Sequence, residues 1–72
     1  MLSIGARINV ISKYLMAIAW TQTDDTCEAH QLTHVALLRI LDKDPELAHF
    51  DAIMRALETE IGARARARPA AA

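Results

Sequence analysis

Cys27, His30 and His34 are the side chains of this chain whose types and spacing come nearest to a ligand set, C-x2-H-x3-H. On a helix, His30 and His34 lie one turn apart and can share an ion. Cys27 and His34 are seven positions apart, more than about 10 Å along a helix axis at ~1.5 Å per residue. No single ion held at about 2.0–2.3 Å reaches both. A zinc site built on His30 and His34 would have to borrow Glu46, His49 or a second chain. The preferred reading is that both histidines continue the Leu37/Leu41 stripe as partly buried, hydrogen-bonded neutral rings, so that acid loosens the assembly. No metal and no cofactor are expected.

Other chemistry finds less support. There is no Gly-x-Ser-x-Gly elbow and no P-loop, and no base is placed for Cys27. Glu58 and Glu60 point to different sides of a helix, so they are no acid/base pair. The chain is not expected to be an enzyme. A lone cysteine makes no internal disulfide, which favours a reducing, cytoplasmic setting.

Charge narrows the partners. The net charge is −1, so the chain is not basic overall, but the charges are segregated. Arg7 and Lys13 stand in an acid-free start, all nine acids fall between Asp24 and Glu60, and Arg64, Arg66 and Arg68 close the chain. A DNA-reading helix must offer basic and amide groups to phosphates and base edges. The middle and last helices are too acidic for that. Nucleic acid is therefore the alternative partner, with Arg7, Lys13, Arg64, Arg66 and Arg68 as its contacts. Arg7, Asn9 and Lys13 also break the first apolar segment well short of the ~20 residues of a membrane span. Neither a span nor a signal peptide is expected, and the membrane surface ranks below DNA.

Three elements must position these residues. Ser3 caps a first helix in which Ile4, Ile8, Ile11, Leu15 and Ile18 form a seam of alternating fours and threes. Leu2, Met16 and Trp20 fall on another side of it. After the polar TQTDDT connector, Asp25 and Glu28 suggest a capping box that opens a second helix. That helix carries Leu37, Leu38, Ile40 and Leu41 on its apolar face. Glu28, Gln31, Arg39 and Asp42 make its polar face, with Val35 stranded among them. Asp44–Pro45 then reads as N-cap and first helical position, Leu47, Phe50, Met54, Leu57 and Ile61 as a stripe, and Gly62 as a stop.

The expected fold is all-α: a small bundle of helices at about 3–20, 25–42 and 45–62, the last two forming an antiparallel hairpin across a short link. Residues 1–62 make one helical domain, and the Arg/Ala/Pro stretch 63–72 is expected to be a disordered tail. The composition is 53% hydrophobic. A chain this short buries only about 60% of its unfolded surface, so some apolar area should be covered by another polypeptide. A homodimer is the simplest cover. The function expected is that of a small protein-binding regulator, an adaptor, inhibitor or accessory subunit. Leu2, Tyr14, Met16, Trp20 and the Ala48/Ala52/Ala56 row are its candidate partner-binding residues.

Overall fold

The computed structural model describes residues 2–67 and contains three α-helices: α1 Ile4–Ala19, α2 Thr26–Lys43 and α3 Phe50–Ala67. Among the described residues there is no strand. The first two helices start where the sequence predicts. The Ser3 hydroxyl accepts from the Ala6 amide at 3.1 Å, and the Asp25 carboxylate accepts from the Glu28 amide at 3.2 Å. Only half of the capping box forms, because the Asp25 amide donates to the Thr23 hydroxyl at 3.1 Å.

Helix α1 is the element that both others use. Its seam supplies Ile11, with no exposed surface, and Leu15, at 7% exposure; Ile8 and Ile18 pack beside them. Leu37, Ile40 and Leu41 reach this core from α2, and Phe50, Ile53, Met54 and Leu57 reach it from α3. Ile4, the first residue of the seam, remains half exposed. On the α2 side, the buried Thr33 hydroxyl donates to the Ala29 carbonyl and lies 3.6 Å from the Met16 sulfur. That back-bond leaves the hydroxyl satisfied within an apolar contact.

The relation of α1 to α3 can be read from their ends. The Arg7 guanidinium stands 5.7 Å from the centre of the Phe50 ring, while Arg64 donates to the Thr21 hydroxyl at 3.2 Å. Both pairs are 43 positions apart, so the two helices run parallel in constant register. The expected close hairpin of the second and third helices is not what forms. Both pack on α1, and no Cα of α2 lies within 8 Å of a Cα of α3.

The largest departure from the sequence reading lies at Asp44–His49. Asp44 ends α2, with its amide bonded to the Ile40 carbonyl at 2.9 Å, and α3 begins at Phe50 rather than at Pro45. Leu47, expected on the helical stripe, adopts φ 53° and is completely buried. A left-handed residue with a side chain costs about 1–2 kcal/mol. Full burial of a leucine returns roughly 1.5–3 kcal/mol, so burial outweighs the strain. The Leu47 carbonyl accepts from the Phe50 amide at 3.2 Å, across the turn that leads into α3, and from the Arg7 guanidinium at 3.1 Å.

The other boundary moves as well. Gly62 is interior to α3 and has no positive φ, so it is not a stop. Arg64 takes the next place on the Phe50–Met54–Leu57–Ile61 stripe. Its bonds to Glu60 at 2.7 Å and to Thr21 hold the added turn against the end of α1. Residues 63–67, expected in the tail, are therefore helical, and 68–72 lie outside the described residues.

Candidate protein-binding surfaces

The splay between α2 and α3 leaves one side of α2 without a helical neighbour. Glu28, Gln31, Leu32, Val35, Ala36 and Arg39 recur at helical spacing there. With Ile18 and Ala19 of α1 and Gln22 of the turn that follows they line an open groove of about 470 Å³. Ala19 is buried in its floor, Leu32, Ala36 and Ile18 are half-buried, and Val35 is 47% exposed. Glu28 and Arg39 stand in solvent at the two ends, and neither makes an ion pair among the described residues. The groove has an apolar centre and a charged rim, suited to an amphipathic helix. Val35, stranded on the polar face, was the sequence signal for it. Leu32 and Ala36 gave none, because the same side could equally have lain against α3.

The partner-binding residues proposed from sequence fall in different places. Tyr14 packs against the core, and Met16 is half-buried against Thr33. Leu2 is 48% exposed and Trp20 41% exposed. Trp20 follows the last residue of α1, two positions beyond Ile18, and so points to the opposite side of the helix from the groove. Ala52 and Ala56 lie exposed on the outer side of α3, whereas Ala48 sits in the turn before it. Val35 and Leu38, both exposed on α2, were not among the residues proposed.

The basic residues do not gather. Arg7 near the start of α1 and Thr21 just past its end, to which Arg64 donates, are fourteen positions apart, or about 21 Å at the helical rise. Lys13 and Arg66 are exposed, and Arg68 lies outside the described residues.

The ligand-set residues also stand differently from the expectation. His30 and His34 are exposed on α2, not buried along the Leu37/Leu41 stripe, and Cys27 is exposed too. The core-facing side of α2 is filled by Ala29, Thr33, Leu37 and Ile40, which leaves the rings outside. Acid loosening through their burial is withdrawn. Among the described residues no group of three or more His, Cys, Asp or Glu side chains is placed to hold a metal ion.

The fold alters the titration of Asp44. Its carboxylate accepts from the His49 amide at 2.8 Å and the Ala48 amide at 2.9 Å, and it lies 3.2 Å from His49 Nδ1. The His49 and Ala48 amides, in that order, hold its pKa below the ordinary carboxylate value. Asp44 is therefore not the N-cap expected from the sequence: it ends α2, and its carboxylate holds amides of the turn before α3.

No protein-family model, curated protein or solved structure matches the chain. No helix among the described residues is long and apolar enough to cross a membrane.

Proposed function

We propose that this chain is a small protein-binding regulator, an adaptor, inhibitor or accessory subunit, that works as a homodimer through helix-face contact with a larger protein. The observation that carries the reading is Trp20, a large aromatic left 41% exposed where α1 ends. Leu2, just before the Ser3 cap at the other end of α1, is left exposed as well. Tryptophan is enriched among the few residues that supply most of an interface's binding energy, because its body is apolar and its N–H needs a partner. The partner lies along the outer side of α1 with Trp20 as its anchor.

Immobilised wild-type chain and a Trp20→Ala variant test this on a nuclease-treated extract. The expected result is one protein retained by the wild type at equimolar ratio and reduced at least tenfold on the variant, about 1.4 kcal/mol of binding. Equal retention by both, or retention that falls with nuclease and salt, refutes the reading. The second outcome would point to nucleic acid.

A further inference from the structure

We infer that the groove on α2 seats α2 of a second copy of this chain, docked antiparallel about a twofold axis. This deepens the homodimer proposed above by naming its face and register. Glu28, Leu32, Val35 and Arg39 follow one another at steps of four, three and four, the spacing of a seam between two helices. The seam reads alike from both ends except in the sign of its charge, about a midpoint between Thr33 and His34. A twofold interface sets one patch against itself, so each position must meet its mirror position. In the antiparallel arrangement Glu28 meets Arg39 of the partner subunit, Leu32 meets Val35 of the partner subunit, and Gln31 meets Ala36 of the partner subunit. The Glu28–Arg39 ion pair and the Leu32–Val35 contact then each occur twice.

A parallel pairing would set Glu28 on its own copy and Arg39 on its own copy, two repulsions in place of two attractions. Charge therefore selects the antiparallel register. The outermost positions do not alter the choice: Asp24 meets a lysine, Lys43 of the partner subunit, while Asp25 meets an acid, Asp42 of the partner subunit. Among the described residues α3 leaves this side open, because it keeps away from α2. The Glu28–Arg39 seam spans about 17 Å at the helical rise. A contact of that length falls at the small end of specific interfaces, which makes the dimer weak and concentration-dependent.

Sedimentation equilibrium of the full chain from about 10 µM to 1 mM tests the proposal, a range that brackets weak association. The wild type is expected to show a reversible monomer–dimer equilibrium. Glu28→Arg and Arg39→Glu each turn two attractive pairs into two repulsive ones and should weaken it about tenfold. The double variant Glu28→Arg/Arg39→Glu restores both pairs and should return to within about threefold of the wild type, as paired exchanges do when the coupling is direct. Circular dichroism of each variant checks that the helices are retained. A monomer at every concentration overturns both the dimer and its register, and leaves the groove to another polypeptide or to none. A dimer that ignores the single exchanges, or that the double exchange does not restore, overturns the register alone and places self-association on another face.

Discussion

Leu47 offers the sharpest test of the fold, because a helical Leu47 would separate two substitutions that a left-handed Leu47 leaves nearly equal. Replacing this fully buried leucine by alanine should cost about 3–5 kcal/mol. A chain of this length has only about 4–11 kcal/mol in all, so the measurement is best made in a stabilising osmolyte. Leu47→Gly loses the same isopropyl atoms and the buried Cβ as well, worth about 0.8 kcal/mol. On a helix, alanine leads glycine by a further 0.8–1.0 kcal/mol or so, giving the alanine variant an advantage near 1.8 kcal/mol. At φ 53° the backbone term reverses. Alanine then bears roughly 1–2 kcal/mol of left-handed strain that glycine avoids, less about 0.4–1 kcal/mol for glycine's freer unfolded chain. The two variants should therefore match within about half a kcal/mol. With a urea slope near 1 kcal/mol/M for so small a protein, midpoints should coincide within about 0.5 M by circular dichroism. An alanine variant ahead by about 1.5 M or more would refute the left-handed turn and restore a helix starting at Pro45.

Two further outcomes follow from the ends of α3 and from the turn before it. Gly62→Ala should raise stability by about 0.5–1 kcal/mol, read as a higher urea midpoint, since Gly62 is helical and an added Cβ would meet only the tip of the Arg66 side chain, at 3.3 Å. A loss would mean that Gly62 ends the helix. Asp44→Asn should lower the melting temperature at neutral pH. The Asp44 pKa is held down in the folded state, so its contribution is present above the unfolded carboxylate value and disappears as pH falls through the folded one. The gap between wild type and variant should close on acidification below about pH 4. A gap that stays constant across that range would remove the carboxylate from that turn.

What the sequence made legible depended on whether local and tertiary terms agreed. For α1 and α2 they did: Ser3 and Asp25 cap where an apolar period begins, and the Ile8–Ile11–Leu15–Ile18 seam faces inward as its spacing requires. Around Asp44 they parted. Asp44–Pro45 is a strong local start signal, and Leu47 keeps helical spacing with Phe50 and Met54. Periodicity places a residue on an inward side without fixing its φ. Leu47 is inward and yet left-handed, and the Arg7 guanidinium 40 positions earlier adds a tertiary bond to a carbonyl that the Phe50 amide already engages.

The same limit explains the groove. Binary pattern marked Glu28, Gln31 and Arg39 as outward and could not reveal that α3 would dock on α1 alone. Parallel docking is set by pairs distant in sequence, Arg7 with Phe50 and Thr21 with Arg64. Those pairs hold α3 to α1 at both ends. A hairpin between α2 and α3 would have closed the side of α2 on which Val35 now stands. The opening beside Val35 thus follows from where two arginines find their partners, and Val35 was the one residue on that side whose type conflicted with its place.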